Sequence, residues 1–89
     1  MTRIFGEDDK LDIDYPVAWD YKVVGSDEGL VREAIAGVVG ALEHTVEMSN
    51  RSRTGKYISL ELVVTVVDEE QRLGIGQALH EHVDVKFVL

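Results

Sequence analysis

Three positive charges lie within one short stretch of the 89-residue chain, where Arg51, Arg53 and Lys56 are followed by Tyr57. Guanidinium and ammonium groups form strong charge-assisted hydrogen bonds with carboxylates and phosphates. Gly55 predicts a turn between two strands, which would place the charges at a hairpin tip. The cluster could therefore bind an acidic partner segment or a phosphate. The alternative is a solvated hairpin tip, which is common for charged loops.

A second candidate site follows the first predicted strand, where the sequence reads Gly25-Ser26-Asp27-Glu28-Gly29. The free N–H groups at the start of a helix bind carboxylates and other anions, and a glycine lets a small ligand approach. Gly25, Ser26, Asp27 and Gly29 are therefore candidate ligand-binding residues. The alternative is that Ser26 and Asp27 only cap the helix, a common role for both residue types.

Catalytic and metal-binding motifs find little support in the sequence. It has no cysteine, no Gly-x-Ser-x-Gly elbow and no Walker loop, and Gly74-x-Gly76 lacks the rest of a dinucleotide fingerprint. His80 and His82 are two positions apart, so they do not share a helix face as paired metal ligands would. A helix C-terminus, which favours positive charge, explains them more simply. We predict no enzymatic activity, no cofactor and no metal.

The charge balance is strongly acidic, with 17 acidic and 9 basic residues and a net charge of −8. This field repels phosphate backbones, and Ser59 and Glu61 stand where an RNA-binding strand would continue with aromatics after Tyr57. We therefore expect no nucleic-acid partner.

No apolar run approaches the ~20 residues of a membrane span, and the N-terminus lacks the apolar region of a signal peptide. We expect a soluble, cytoplasmic protein without a membrane contact.

The elements that position these residues are organised around one strand, residues 57 to 67. Alternate residues of this stretch are apolar and share one face, namely Ile58, Leu60, Leu62, Val64 and Val66. A strand with one wholly apolar face is typical of the centre of a sheet that packs on helices.

Similar reasoning places the other elements. It predicts strands at 17 to 24, 44 to 50 and 83 to 89, and a helix from the Gly25-Ser26-Asp27 break to about Glu43. In the last strand, Val83, Val85, Phe87 and Leu89 would share one side. Asp68 and Gln71 predict a capping box that opens a second helix.

The resulting order is β-α-β-β-α-β, an α+β, ferredoxin-like fold with a four-stranded antiparallel sheet and two helices on one face. The third strand should lie between the first and second, and the fourth beside the first. Residues 1 to 15 are predicted to form a flexible acidic arm, and residues 16 to 89 the domain. The open face of the sheet would carry Lys22, Thr45, Glu47, Tyr57, Ser59, Glu61 and Lys86.

Several of these residues together resemble a known family. Pro16 precedes Tyr21-Lys22-Val23-Val24-Gly25, then come Arg51-Ser52-x-x-Gly55-Lys56-Tyr57-x-Ser59 and the ending Val85-Lys86-Phe87-Val88-Leu89. Residues 16 to 89 thereby resemble the bacterial YbeD-like family of uncharacterised proteins. The resemblance implies an ACT-like domain in the bacterial cytoplasm without an established activity. Arg53 and Thr54, and the glycine-rich second helix, depart from the family pattern.

Two main functional hypotheses follow. The first is a small non-enzymatic regulatory or adaptor module that binds an unidentified protein, with contacts from Lys22, Arg51, Arg53, Lys56, Tyr57 and Ser59. The alternative is an ACT-like sensor of an amino acid or other anion, since Asp27-x-Gly29-Leu30 is similar to the ACT opening but one residue shorter. An enzyme of the acylphosphatase type on the same fold is a third reading. Two copies could also pair through the second-strand edges or the open face.

Overall fold

The computed structural model describes residues 13 to 89. The elements in this range are β1 (Val17–Gly25), α1 (Glu28–Val39), β2 (His44–Arg51), β3 (Ile58–Val66), α2 (Glu69–Glu81) and β4 (Phe87–Val88). The strands form an antiparallel sheet in the order β2-β3-β1-β4. The predicted ferredoxin-like, ACT-like arrangement is therefore confirmed. The predicted acidic arm lies mostly outside the described residues, but its last residue, Tyr15, packs against the core.

The core lies between the two helices and one face of the sheet. In β3 the residues on this face are all buried, as the alternating pattern predicts: Ile58, Leu60, Leu62, Val64 and Val66. The neighbouring strand places Tyr21 opposite Leu62 and Val23 opposite Leu60. The helices add buried residues from α1 (Val31, Ala34, Ile35 and Val39) and from α2 (Ile75 and Leu79). No helix or strand of residues 13 to 89 covers the other face of the sheet, which we call the open face.

Local signals set both ends of α1. At its start, the Asp27 side chain accepts a hydrogen bond of 3.0 Å from the Leu30 N–H, which satisfies one of the free donors of the first turn. At its end, Gly40 adopts a positive φ of 59°, a conformation that glycine reaches without steric cost. The predicted end near Glu43 is therefore wrong.

The second helix, α2, begins at the predicted cap residue, Asp68, but the reciprocal hydrogen bond of the Gln71 side chain differs from the prediction. The Asp68 side chain accepts a hydrogen bond of 2.7 Å from the Gln71 N–H. The Gln71 side chain in turn accepts a hydrogen bond of 2.8 Å from the Val67 N–H, one residue before the cap. Two backbone donors at the start of the helix are thus satisfied, although the capping box is not of the predicted form.

The last strand, β4, is much shorter than predicted, with only Phe87 and Val88 in the strand. Val83 is 88% exposed, whereas Val85 is buried before the strand begins. Phe87 pairs with Val24, whose other neighbour is Ser59 on the open face. The predicted common side for Val83, Val85 and Phe87 is therefore wrong, and Lys86 precedes the strand.

The shortness of β4 leaves part of β1 without a neighbour. Lys22 exchanges two backbone hydrogen bonds with Leu89, of 3.0 and 2.8 Å, and the strand pairing covers Val23 and Val24. Between Val17 and Tyr21, no strand among residues 13 to 89 pairs with this side of β1. The backbone N–H and C=O groups of successive residues point to alternate edges of a strand. Those of Ala18 and Asp20 therefore point to the same edge as those of Lys22, where no strand of residues 13 to 89 pairs with them.

Candidate functional site

The open face of the sheet holds a shallow depression of about 220 Å³. Its lining comes from β1, from the end of β2 and from the start of β3: Lys22, Val24, Asn50, Ser52, Tyr57, Ile58 and Ser59. We refer to these residues as the sheet-face depression. Three of the six predicted partner-binding residues, Lys22, Tyr57 and Ser59, thus come together here. Ser59 lies at its floor, with 8% of its surface exposed.

The turn from Ser52 to Tyr57 forms one wall of the depression and is held by its own hydrogen bonds. The Tyr57 N–H donates to the Ser52 hydroxyl oxygen (3.0 Å), and the Ser52 N–H donates to the Tyr57 carbonyl oxygen (2.8 Å). Gly55 has a φ of 77°, which favours glycine. The turn therefore presents its exposed Arg53 and Lys56 beside Tyr57, with the Lys56 ammonium 5.6 Å from the centre of the Tyr57 ring.

Arg51 does not join the other predicted partner-binding residues. Its guanidinium lies 3.3 Å from the Glu28 carboxylate at the start of α1. The cause is a bulge in β2 between Met48 and Asn50, after which Asn50 pairs with Ser59 and Arg51 with the core residue Ile58. A bulge shifts the alternation of faces by one residue. It therefore turns Arg51 towards the helices and brings Asn50 into the sheet-face depression.

Two of the four predicted ligand-binding residues near the start of α1, Gly25 and Asp27, have structural roles. Gly25 is buried, and a β-carbon there would clash with the Val31 side chain and lie 2.7 Å from the Asp84 carbonyl oxygen. The Asp27 carboxylate accepts from the Leu30 N–H and so takes up a donor that an anion would need. Ser26 and Gly29 are exposed. Ligand binding by these four residues stays a prediction.

A larger cavity, of about 380 Å³, lies on the opposite side of the sheet, between α2 and the edge formed by β1 and β4. Its lining is Trp19, Asp20, Tyr21, Arg72, Leu73, Gly76, Gln77, His80, Val88 and Leu89. We refer to these residues as the helix–strand cavity. Sequence reasoning missed it, although Arg72, Gly76 and His80 recur at the four-residue spacing that places residues on one helix face.

Arg72 is held firmly at the wall of this cavity. Its guanidinium carbon lies 4.5 Å from the centre of the Trp19 ring, a cation–π contact. Its Nε donates a hydrogen bond of 3.0 Å to the Tyr15 hydroxyl, and its side chain is only 14% exposed. The nearest carboxylate oxygen among residues 13 to 89 belongs to Glu69, at 4.0 Å. The structure thus brings a mostly buried positive charge to an aromatic cavity.

Tyr21 closes the inner end of the same cavity. Its hydroxyl donates a hydrogen bond of 2.6 Å to the Arg72 carbonyl oxygen. Burial raises the pKa of Tyr21 above its ordinary value of 10.0, and the Tyr15 hydroxyl adds to this effect, whereas the positive charge of Arg72 opposes it. Burial acts in this direction because it disfavours the charged tyrosinate.

This raised pKa predicts a loss of stability in alkali. The unfolded chain ionises Tyr21 near pH 10 and the folded chain only at higher pH, so the stabilisation is complete below about pH 10 and is lost as the pH rises through the folded pKa. Urea unfolding at a series of pH values should show a smaller alkaline loss for Tyr21→Phe than for the parent chain. Equal slopes for the two proteins would contradict the assignment.

The histidines near the end of α2 belong to no group of three or more potential metal ligands within residues 13 to 89. Among residues 13 to 89, no three His, Asp or Glu side chains are grouped closely enough to hold a metal ion. The His82 ring nitrogen Nδ1 accepts a hydrogen bond of 3.1 Å from the Asp84 N–H. His82 thereby helps to form the turn that follows α2.

Within residues 13 to 89, no helix has both the length and the apolar composition to cross a membrane.

Comparison with known proteins identifies relatives but no activity. The uncharacterized protein Cj0253 of Campylobacter jejuni is 38% identical over 77 residues, which are 86% of this chain and 86% of that protein. Two solution structures of HP0495 from Helicobacter pylori are similar. One has a TM-score of 0.79 with 23% identity and covers 100% of this chain and 98% of its own. The other has a TM-score of 0.63 with 25% identity and covers 90% and 93%.

The fold is also similar to that of the ACT domain from the GTP pyrophosphokinase of Chlorobium tepidum. The TM-score is 0.58 with 15% identity, over 81% of this chain and 94% of that domain. This likeness shows an ACT-like fold alone. The family described as "Protein of unknown function (DUF493)" matches residues 10–89. With that match and the Campylobacter relative, the chain belongs to the YbeD-like family, DUF493, whose function is unknown.

Proposed function

We propose that this protein is a small non-enzymatic regulatory or adaptor module of the cytoplasm, which binds a partner protein through the open face of its sheet. The observation that carries the proposal is the sheet-face depression, where Lys22 of β1 meets Tyr57 and Ser59 at the start of β3. An aromatic ring, an ammonium group and a hydroxyl in one depression can contact an apolar, an acidic and a polar group of a partner at once.

Charge and exposed apolar surface around the depression support the same proposal. Lys22, Arg53 and Lys56 place positive charge at or beside it in a chain whose net charge is −8, so an acidic partner segment is attracted locally although the whole protein repels it. Phe87 is 57% exposed and pairs with Val24 of the depression. Aromatic residues near the centre of a contact surface are frequent anchors of binding. The expected partner segment is therefore acidic with an apolar anchor.

The test is capture of the partner from lysate of the source organism with the tagged full chain and matched variants. Lys22→Glu alters the depression at β1, and Tyr57→Ala alters it at the residue before β3. Arg32→Glu makes the same change of charge as Lys22→Glu, but on the exposed surface of α1. We expect a protein that the parent and Arg32→Glu retain and that both depression variants lose. Far-ultraviolet circular dichroism and melting curves establish that each variant is folded.

A captured protein that both depression variants retain would contradict binding at this face. So would capture that Arg32→Glu abolishes, since it would place the contact on the helices. The sequence leaves the oligomeric state open and allows a homodimer. Sedimentation of the purified chain at several concentrations tests for it with the same samples.

The ACT-like sensor expected at the start of α1 has weaker support. Asp27 already accepts from the Leu30 N–H, and the space beside Gly25 is filled by Val31 and Asp84. A ligand carboxylate at this helix start would have to displace the cap, which costs about 1 kcal/mol. The adaptor function is therefore the one that the geometry supports best.

A further inference from the structure

We propose that the helix–strand cavity binds a small organic monocarboxylate with an apolar or aromatic body. The volume of about 380 Å³ falls within the roughly 300–1,000 Å³ that is usual for small-molecule sites. The cavity lies on the helix side of the sheet, whereas the sheet-face depression lies on the open side. This proposal is therefore independent of partner binding at the open face.

The walls of the cavity favour an apolar body. Trp19 and Tyr21 of β1 provide aromatic surface, and Leu73 of α2 and Val88 of β4 add aliphatic surface. Leu73 is 55% exposed, so the ligand would cover apolar surface that water now contacts, which is favourable at about 25 cal/mol per Å² of apolar area.

The residues of α2 that face the cavity leave space for a ligand. Ile75 and Leu79 of this helix face the core, while Arg72, Gly76 and His80 repeat every four residues along the cavity. Gly76 stands in the middle of that row and contributes no side chain. A β-carbon there would lie 3.4 Å from the Tyr21 ring, an ordinary contact. The glycine is therefore not required by packing, and any side chain longer than that of alanine would enter the cavity.

Arg72 supplies the charge that a carboxylate needs. A guanidinium has five N–H donors in a planar fork that matches a carboxylate. Among residues 13 to 89, the Arg72 side chain donates one hydrogen bond, from Nε to the Tyr15 hydroxyl, and its Nη2 lies 4.0 Å from the Glu69 carboxylate, so within this range its terminal nitrogens make no hydrogen bond. The stacking on Trp19 holds the fork in place before binding, which lowers the entropy cost of recognition.

The acidic residues around the cavity limit the ligand to a single negative charge. Asp20 lines the cavity, and the Glu69 carboxylate lies 4.0 Å from the Arg72 guanidinium. A dianion such as a phosphate monoester would gain from Arg72 but would be repelled by both carboxylates. A monocarboxylate balances the one arginine, and its apolar body then decides the affinity.

Trp19 is the single tryptophan of the chain and lines this cavity, so tryptophan fluorescence is a probe of ligand binding there. We would titrate the full 89-residue chain with phenylacetate, cyclohexylacetate and hexanoate, each beside its neutral primary amide, and with inorganic phosphate. We expect saturable changes of Trp19 emission with at least one carboxylate, and at least about tenfold weaker binding of the matched amide, because a hydrogen bond to a charged group is worth about 1.5–3 kcal/mol. Phosphate should cause no saturable change.

Variants separate binding in the cavity from general effects on the helix. Arg72→Gln should weaken the carboxylate about tenfold and leave the neutral amide unchanged. Gly76→Leu should abolish binding of both, because its side chain occupies the cavity. Gly74→Ala is the matched control on the same helix, since nothing lies within 4 Å of a β-carbon there. It should bind like the parent chain while melting at a higher temperature, because alanine favours a helix by up to about 1 kcal/mol over glycine.

Three results would overturn the proposal. The first is no saturable response of Trp19 to any of the carboxylates at millimolar concentration. The second is equal affinity for carboxylate and amide, which would remove the role of Arg72. The third is unchanged binding by Gly76→Leu, with amide shifts in a two-dimensional NMR spectrum located away from Leu73 and Gln77, which would place the ligand elsewhere.

Discussion

Replacement of Gly25 by alanine should destabilise the folded chain by about 3 kcal/mol, at the upper end of the usual cost of overpacking. The added β-carbon would clash with the Val31 side chain and lie 2.7 Å from the Asp84 carbonyl oxygen. The side chain is fully buried in α1, and the carbonyl belongs to the backbone between α2 and β4, so neither can move without disturbing the core. The expected loss of stability therefore reflects the close packing of the end of β1 against α1 and against the segment between α2 and β4.

Urea unfolding of Gly25→Ala measures this effect directly. Gly37→Ala is the control, because Gly37 lies in the interior of α1 with nothing within 4 Å of its position for a β-carbon. That variant should gain up to about 1 kcal/mol from helix propensity alone. If Gly25→Ala were as stable as the parent chain, the close packing of this glycine would be refuted, and its candidate role beside a ligand would regain weight.

Leu62→Ala should cost about 3–5 kcal/mol, the range of large-to-small changes in a closed core. Leu62 is fully buried at the centre of β3, between Tyr21 of β1 and Val46 of β2. Because folded domains are stable by only about 0.05–0.15 kcal/mol per residue, such a loss removes a large part of the total for a chain of 89 residues. Calorimetry or urea unfolding would show whether a cooperative transition remains at 25 °C.

The adjacent residue supplies the control for this prediction. Val63 follows Leu62 in β3 and points to the open face, where it pairs with Asp20 and Thr45. Val63→Ala should cost less than half as much as Leu62→Ala, since water already reaches this side of the sheet. Similar losses for the two variants would mean that the open face is covered in solution, as it would be in a stable dimer through that face.

Much of the fold follows from patterns that are local in the sequence. The apolar alternation of β3, the caps at Asp27 and Asp68 and the strand order were predictable, because each depends on one strand, one turn or the handedness of the connections. The end of α1 was missed because Gly40 was counted as part of the helix, whereas its positive φ ends it. The length of β4 was missed because an alternating pattern is necessary for pairing but does not ensure it.

The candidate sites were less predictable because they depend on how separate elements meet. The alternation of β2 places Arg51 with the hairpin tip, but the bulge before it reverses its direction, and one inserted residue leaves no signal in an isolated sequence. The helix–strand cavity depends on the short β4 and on Gly76. In the sequence alone, this glycine indicates only a less stable helix. Lys22, Tyr57 and Ser59 were placed on one face because Lys22 and Ser59 lie on regular, adjacent strands and Tyr57 directly precedes β3.

The free edge of β1 bears on how the protein behaves when concentrated. Unpaired N–H and C=O groups along a strand are a template for the growth of aggregates, and Ala18 and Asp20 present groups that no strand of residues 13 to 89 pairs with. Strand addition between two copies at this edge would bring both Asp20 carboxylates close together, and the net charge of −8 would double. Like charges at a strand edge oppose self-assembly. The charge of Asp20 thus opposes self-assembly at this edge, and this opposition should weaken at high salt, where the charge is screened.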